Sequence, residues 1–237
     1  MSNIQDEFIA TVSHELRTPL TSIRGFSQTL LASWDKIDDE NKKKFIKIIE
    51  DQSNRLIHLV ENVLSVSNMN AGCEVLKKVD VNDVIKRIIP MFTEQYKTRK
   101  FVQKLNSSLP PARLDEDKFQ QILTNLIDNA AKYSTDGKTV TISTELSENF
   151  VEIKITDEGV GIKQEDFDKV FKKFSRLENH LTSTTQGNGL GLYITKQLVE
   201  NMGGQISFTS EINKGTIFRL LMPVYNQEEV LRCSHKS

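Results

Sequence analysis

A carboxylate and two glycines follow an alternating apolar stretch in the segment ITDEGVGI. Asp157 comes directly after this predicted strand, and Gly159 and Gly161 follow at two-residue steps. Glycines at these positions allow positive φ and leave no side chain between the backbone and a flat ligand. A carboxylate held there can accept a hydrogen bond from the exocyclic amine of adenine, and it would repel the carbonyl oxygen of guanine. The segment therefore predicts an adenine site, with an ordinary strand-to-loop turn as the alternative.

Two amides and one ammonium group share a face of the helix predicted around NLIDNAAKYS. Asn125 and Asn129 are four residues apart, and Lys132 lies one turn further along. An amide oxygen is a suitable hard ligand for Mg²⁺, which takes few protein ligands and completes its shell with phosphate oxygens and water. The Lys132 ammonium group can neutralise phosphates. This face predicts a Mg²⁺-phosphate site, with a solvated polar helix surface as the alternative.

A glycine-rich loop leads into a predicted helix in the segment QGNGLGLYITKQ. Gly187, Gly189 and Gly191 precede the helix, whose N-terminal N–H groups and dipole favour an anion. The spacing does not match the dinucleotide pattern G-x-G-x-x-G, and the G-K-[ST] ending of a Walker A loop is missing. The loop is therefore a candidate phosphate site, although a glycine cluster alone is a weak indicator.

A histidine lies one turn before a proline in the helical segment TVSHELRTPLTSI. A proline inside a helix costs roughly 3 kcal/mol, because it removes one backbone hydrogen bond and clashes with the preceding turn. His14 is about 200° around the helix from Val12 and Leu16, so it points away from the apolar stripe. A zinc motif H-E-x-x-H would need histidine at Thr18, so HELRT is not one. An exposed histidine available for chemistry is one interpretation, and an ordinary surface residue is the other.

Two long helices precede the candidate nucleotide-binding motifs, and the first of them must position His14. The second helix carries a heptad seam at Phe45, Ile49, Gln52, Leu56, Leu59, Val63 and Val66. The first keeps a similar rhythm at Leu16, Leu20, Ile23, Ser27 and Leu30, after Ile9 and Val12. The polar segment ASWDKIDDEN between them predicts the turn of a hairpin. One stripe on each helix makes a poor core alone, so we expect two hairpins to pair as a four-helix bundle in a dimer.

Strands and helices alternate after NAGCE, near Gly72. The predicted elements are a strand near Val75–Val79, a helix over Val81–Lys97, a strand in KFVQKLNSS, a helix from Asp115 to about Tyr133, strands around Val140 and Val151, a helix over Gly189–Met202, and strands over Gln205–Ser210 and Thr216–Met222. The paired prolines of PPARL predict a turn. The polar stretch from Gly159 to about Asn188 is long enough to be a functional lid or a disordered loop.

Composition excludes several classes of protein. The 237 residues carry 31 basic and 32 acidic side chains, which argues against nucleic acid or an anionic membrane as a general partner. The two cysteines, Cys73 and Cys233, are far apart in sequence and do not indicate a disulfide framework or a metal cluster. No apolar run approaches the roughly 18–20 residues that span a bilayer, and the start lacks the pattern of a signal peptide. We therefore expect a cytoplasmic location.

In their order along the chain, these motifs resemble those of the sensor histidine kinases of two-component signalling. SHELRTPLTSI is similar to the H box of that family, NLIDNAAKYS to the N box, DEGVGI to the G1 box, FKKF to the F box and GNGLGL to the G2 box. The resemblance implies a dimerisation and histidine-phosphotransfer domain over residues 1–72. It also implies an ATP-binding domain of the Bergerat type over 73–225, an α/β two-layer sandwich with a mixed sheet, and a flexible tail over 226–237.

The resemblance also implies roles for single residues. His14 corresponds to the phospho-accepting histidine, Glu15 to a general base, and Thr18 to the residue that helps such kinases dephosphorylate their partner. The residues that it assigns to the nucleotide are Asn125, Asn129, Lys132, Tyr133, Asp157, Gly159, Gly161, Arg176, Gly187, Gly189, Leu190 and Gly191. Asn129 would hold Mg²⁺ beside ATP.

The partners that the resemblance implies are a second copy of the chain and the receiver domain of a response regulator. Only thirteen residues precede His14, so we expect a catalytic core whose sensor region, and with it any membrane anchor, belongs to a longer receptor. Two alternatives have the same nucleotide-binding fold. One is an ATPase that transfers no phosphoryl group to protein, and the other is a scaffold that only binds ATP.

Overall fold

The chain forms two compact units, Met1–Ala71 and Gly72–Ser237, which we call the helical unit and the sheet unit. The computed structural model describes residues 2–68, 76–135, 137–175 and 189–226, and it describes the backbone alone for 2–10, 58 and 65–68. The predicted tail over 226–237 lies almost entirely outside these ranges. Within them, no helix combines the length and the apolar character needed to cross a membrane.

The helical unit is a hairpin of two long helices, as predicted. Helix α1 spans Ser2–Ser33 and helix α2 spans Asp39–Asn68, and one 3-10 turn, Trp34–Lys36, joins them. The Asp38 carboxylate accepts the Asn41 N–H at 2.9 Å, so it caps the first turn of α2. Helix α1 continues through Pro19, which has no N–H to donate to the carbonyl one turn earlier.

The apolar seam of α1 departs from the predicted stripe at one residue. Leu20 was placed on the stripe, but its side chain is 53% exposed. Its neighbour Pro19 is buried instead, as is Leu30, and the Phe26 ring packs on Phe45 with centroids 5.1 Å apart. Two adjacent stripes of α1 are both apolar, and contact with α2 decides which of them is covered.

The sheet unit contains seven strands and three helices within the described residues. The strands are β1 (Lys77–Val79), β2 (Lys100–Leu105), β3 (Ala112–Leu114), β4 (Thr139–Ser147), β5 (Phe150–Asp157), β6 (Gln205–Glu211) and β7 (Gly215–Pro223), and the helices are α3 (Val81–Gln95), α4 (Glu116–Tyr133) and α5 (Gly191–Asn201). Five strands form one sheet in the order β2-β4-β5-β7-β6. The β2–β4 pair is parallel and the others are antiparallel, so the sheet is mixed.

One face of this sheet is apolar and covered by helices. Val151, Ile153 and Ile155 of β5 are fully buried. On the opposite face Lys154 is partly exposed, and Glu152 is buried where it pairs with Lys154 and with an arginine of β7. This alternation is the period-two pattern of a strand that packs on one side. The apolar stripes of α3 and α4 complete the core from the helix layer. The predicted two-layer α/β sandwich is therefore confirmed.

The segment PPARL contains a strand that the sequence did not predict. Its last three residues, Ala112–Leu114, form β3 and pair antiparallel with β1 in a separate two-stranded sheet. Ala112 and Leu114 are fully buried, and Ala112 also bridges to Val224. The prediction of a simple turn was wrong here, because the two prolines end before the strand begins and three residues are too short for a clear alternating pattern.

Candidate functional site

Asp157 is a buried carboxylate at the end of β5. Its side chain is 6% exposed, and its Oδ1 accepts the backbone N–H of Gly159 at 2.8 Å and that of Thr216 at 3.2 Å. Burial raises the pKa of Asp157 from 3.8 to about 6, against the two N–H groups, which lower it. The carboxylate is thus fixed in place by the start of β7 and by its own loop, with its second oxygen available as an acceptor.

The loop after Asp157 packs against the end of α4. A side chain on Gly159 would collide with the Tyr133 carbonyl oxygen and crowd the Asp157 carboxylate, and Val160 donates its N–H to that carbonyl at 3.2 Å. Of the two predicted glycines, only Gly161 has positive φ, at 69°. A glycine is needed at position 159 because the loop backbone lies close to the Tyr133 carbonyl, and not because of its φ. The expectation that both glycines provide positive φ was therefore wrong for Gly159. The contact brings Asp157 and Tyr133 together.

The predicted polar face of α4 lies against the first turn of α5. The Asn125 amide donates to Thr195 Oγ1 at 2.8 Å, and it also fills the space that a side chain on Gly191 would need. Asn129 follows one turn later and is half-buried. Packing of α4 on α5 therefore brings Asn125, Gly191 and the start of α5 into one place.

Lys132 is held by a partner that the sequence analysis did not consider. Its ammonium group pairs with the Asp128 carboxylate one turn earlier on α4. The Tyr96 hydroxyl donates to the other oxygen of Asp128 at 2.6 Å. Burial, followed by this hydrogen bond, raises the pKa of Tyr96, so the phenol stays protonated. Lys132 is therefore held by Asp128. To contact a phosphate, its ammonium group would have to leave the Asp128 carboxylate.

The glycine-rich loop is described only at its end. Leu190 precedes α5 as its N-cap residue and is fully buried, and its apolar side chain makes no capping hydrogen bond. Gly189 has φ of 68° and packs against the backbone of Phe174 and Ser175. Backbone N–H groups at the start of a helix can donate hydrogen bonds to an anion. Arg176 and Gly187, two other predicted site residues, lie outside the described residues.

His14 stands on the helical unit with its side chain 76% exposed. Its Nδ1 lies 3.9 Å from Glu15 Oε1, and the other oxygen of Glu15 lies 3.3 Å from the Arg55 guanidinium group of α2. The Thr18 hydroxyl is exposed and donates to the His14 backbone carbonyl at 3.4 Å. The outward orientation predicted for His14 is confirmed, and a carboxylate lies beside one of its ring nitrogens.

Some residues around the candidate site were not predicted from the sequence, because their roles depend on contacts between distant segments. Thr216 is buried and holds Asp157, and its hydroxyl lies 2.9 Å from Ser210 Oγ. A signal for Thr216 was present, since its alternation with Phe218 puts a polar residue on the buried face of β7. Arg55 and Asp128 gave no comparable signal, because charged residues on helix surfaces are common.

Two family models match the chain, in the order of its two units. The His Kinase A (phospho-acceptor) domain matches residues 4–72. The model described as histidine kinase-, DNA gyrase B- and HSP90-like ATPase matches residues 114–226. His14 falls within the first match, and the α4 face, Asp157 and the start of α5 fall within the second.

Similar proteins match the chain across both of its units. The signal transduction histidine-protein kinase ArlS of Staphylococcus haemolyticus (strain JCSC1435) is 33% identical over 221 residues, covering 92% of this chain and 49% of ArlS. ArlS of Staphylococcus aureus (strain USA300) is 34% identical with the same coverage. The chain thus spans about half the length of these relatives.

Solved structures of histidine kinases have folds similar to that of this chain. The Acinetobacter baumannii histidine kinase AdeS has a TM-score of 0.71 and 28% identity, covering 90% of this chain and 98% of its own. The histidine kinase ThkA, solved in complex with the response regulator protein TrrA, has a similar fold with a TM-score of 0.73 at 23% identity, covering 94% of this chain and 63% of its own. This chain therefore belongs to the sensor histidine kinase family.

Proposed function

We propose that this chain is the catalytic core of an ATP-dependent histidine kinase. It phosphorylates its own His14 and passes the phosphoryl group to an aspartate of a response regulator. In this proposal residues 1–72 form the dimerisation and phosphotransfer domain, and residues 73–225 form the ATP-binding domain. The observation that carries the proposal is the buried Asp157, held by two backbone N–H groups so that one oxygen stays free for the amine of adenine.

The remaining nucleotide contacts come from elements packed around Asp157. Tyr133 flanks the nucleotide, and Lys132 contacts its phosphates after leaving Asp128. The start of α5, with Gly189, Leu190 and Gly191, receives the phosphates at its N–H groups. Gly159 and Gly161 keep the adenine side open, and Arg176 and Gly187 act from the loop before α5.

The donor set of the site suits Mg²⁺ held jointly with a nucleotide. Among the residues that the structure describes, no group of three or more His, Cys, Asp or Glu side chains could hold a metal by itself. Mg²⁺ commonly takes one or two protein oxygens and completes its shell with phosphate and water. The Asn129 amide oxygen would hold the ion, with Asn125 supporting it. When bound, Mg²⁺ neutralises charge on the phosphates.

The chemistry at His14 follows from which ring nitrogen faces Glu15. Nδ1 lies next to the carboxylate, so its proton passes to Glu15 while the lone pair of Nε2 attacks the γ-phosphorus of ATP. A bond forms between Nε2 and phosphorus, the bond to the bridging oxygen breaks, and ADP leaves. Exposure of His14 lets first the ATP-binding domain and then the response regulator reach it.

A dimer is part of the proposal because the helical unit leaves apolar side chains uncovered. On α2, Ile46, Ile57, Val60 and Leu64 share a face at helical spacing and are each 46–54% exposed. On α1, Leu20 and Leu31 are also exposed. A second hairpin would cover both faces and form a four-helix bundle. The response regulator, as in the ThkA complex, is the expected partner of phosphorylated His14.

Incubation with γ-labelled ATP and Mg²⁺, followed by acid and alkali treatment, tests the proposal. Phosphohistidine label is lost in acid and survives alkali. His14→Gln should abolish this label and leave nucleotide affinity within a few-fold of wild type, because His14 and Asp157 lie in different compact units. Steady ATP hydrolysis without labelled protein would instead indicate a non-kinase ATPase of the same fold. Label that persists in His14→Gln would contradict the assignment of the acceptor.

A further inference from the structure

Glu15 connects the two helices of the hairpin at the level of His14. One oxygen of its carboxylate lies 3.9 Å from His14 Nδ1, and the other accepts a hydrogen bond from Arg55 Nη2 at 3.3 Å. Arg55 is forty residues further along the chain, on α2. Both charged side chains are 26% exposed, so they are shielded from water on most of their surface.

This contact compensates for an unfavourable geometry on α1. Consecutive residues of a helix point about 100° apart, so the side chains of His14 and Glu15 do not face each other by default. A glutamate has several rotamers, and fixing one of them carries an entropic penalty. A guanidinium group on the facing helix favours the rotamer that turns the first oxygen of the carboxylate towards Nδ1.

We infer that Arg55 is a positioning residue for autophosphorylation. It holds the Glu15 carboxylate in the orientation in which it receives the Nδ1 proton of His14, and it contacts neither the imidazole nor ATP. The inference rests on the proposed function of Glu15 as the base. Because Arg55 and His14 belong to different helices, the relative position of α1 and α2 becomes a condition for proton transfer.

A double-mutant cycle separates this role from a merely structural ion pair. Arg55→Gln should lower the autophosphorylation rate at saturating ATP by about tenfold, a part of the hundredfold or more that general base catalysis supplies. The KM for ATP should stay within about twofold, since the nucleotide binds the other unit. In a Glu15→Gln background, the same Arg55 substitution should change the rate by less than about twofold, because it acts through Glu15.

Two further variants complete the design. Arg55→Lys keeps the charge but not the planar fork, and it should recover part of the lost rate. Lys47→Gln removes an exposed cation of α2 that pairs with Glu50 and Asp51, and it should leave the rate unchanged. Equal rate losses from Arg55→Gln in both Glu15 backgrounds, or no recovery with Arg55→Lys, would overturn the inference.

A spectroscopic measurement keeps the inference testable apart from kinase activity. In the chain without nucleotide, nitrogen chemical shifts of the His14 ring, assigned with His14→Gln, report which nitrogen carries the proton. Arg55→Gln should reduce the population with the proton on Nδ1, and Lys47→Gln should not. Absence of label in wild type would refute the proposed function, whereas an unchanged tautomer population in Arg55→Gln would refute the positioning role.

Discussion

Asp157, the proposed acceptor of the adenine amine, also affects the stability of the sheet unit. Burial raises its pKa to about 6, above the 3.8 of an exposed carboxyl group. The folded state therefore binds the proton more tightly than the unfolded state, and ionisation of Asp157 destabilises the fold. The destabilisation is absent below about pH 3.8 and complete above about pH 6. It amounts to on the order of 3 kcal/mol.

We predict that Asp157→Asn removes this pH dependence. The free energy of unfolding of the variant, relative to wild type, should rise by most of that amount between pH 4 and pH 7.5. All four tyrosines lie in the sheet unit and the single tryptophan in the helical unit, so tyrosine emission during urea unfolding follows the relevant unit. Parallel stability curves for the two proteins would show that Asp157 does not titrate as described.

The Asp157→Asn substitution, which should stabilise the fold at neutral pH, should weaken nucleotide binding. At pH 8, Asp157→Asn should bind ATP about ten- to a hundredfold more weakly, because it loses a charge-assisted hydrogen bond to the adenine amine. Wild-type affinity should also fall as pH decreases through about 6, relative to the variant titrated in parallel, since protonation removes the acceptor charge. Calorimetry measures both effects. Equal affinity of the two proteins at pH 8 would mean that adenine binds elsewhere.

Thr18 is expected to serve only one of the two activities proposed for His14. We predict that Thr18→Ala keeps autophosphorylation and reduces dephosphorylation of the response regulator. The Thr18 hydroxyl is exposed one turn from His14, where it can orient a water molecule, and it has no proposed contact with ATP. Rates of labelling and of regulator dephosphorylation measure the two activities. A parallel loss of both would indicate a folding defect beside Pro19.

Helix α5 begins with a glycine because α4 leaves no room for a side chain. We predict that Gly191→Ala lowers nucleotide affinity at least severalfold, although alanine is the better helix former. The added methyl group would displace the Asn125 amide from its hydrogen bond with Thr195 and so disturb the meeting point of α4 and α5. Nucleotide titration by calorimetry measures the loss.

A second helical glycine provides the matched control. Gly25 of α1 has open space where a side chain would start, so Gly25→Ala should stabilise the helical unit by about 0.5–1 kcal/mol and leave nucleotide affinity unchanged. Unaltered affinity in Gly191→Ala would show that the α4–α5 contact tolerates the shift and does not shape the nucleotide site.

At the scale of the whole molecule, the proposed acceptor and the proposed ATP site belong to separate units, so mixing two inactive chains tests whether they complement each other. His14→Gln lacks the acceptor and Asn129→Ala lacks the Mg²⁺ ligand, and neither should label alone. If phosphorylation occurs between subunits, mixing them under subunit exchange should restore label on the Asn129→Ala chain only. If it occurs within a subunit, the mixture should stay unlabelled. A size tag on one chain distinguishes the two products.

The mixture also tests the dimer. Light scattering should give twice the chain mass, because the exposed apolar faces of α1 and α2 need a second hairpin. A strictly monomeric protein would contradict the four-helix bundle. Label on the His14→Gln chain would contradict both the intersubunit and the intrasubunit version.

Local patterns were sufficient for the family, the fold class and most elements. The heptad rhythm predicted the hairpin, and the period-two alternation around Val151–Ile155 predicted a strand covered on one face. These periods belong to the chain itself, because residues a few positions apart decide whether a helix or a strand can bury one face. The motifs around His14, Asn129 and Asp157 are equally local, so their order along the sequence was enough for the resemblance to sensor histidine kinases.

Contacts between distant segments were decided only by the tertiary structure. Thr216 reaches Asp157 across 59 residues, and Arg55 reaches Glu15 across 40. The choice between Pro19 and Leu20 as the covered residue of α1 likewise depends on α2. No periodicity encodes such pairs, because the free energy of a hydrogen bond or a buried ring depends on which elements pack together. The sequence by itself therefore determined which residues are proposed to carry the chemistry, and the packing determined what holds them in position.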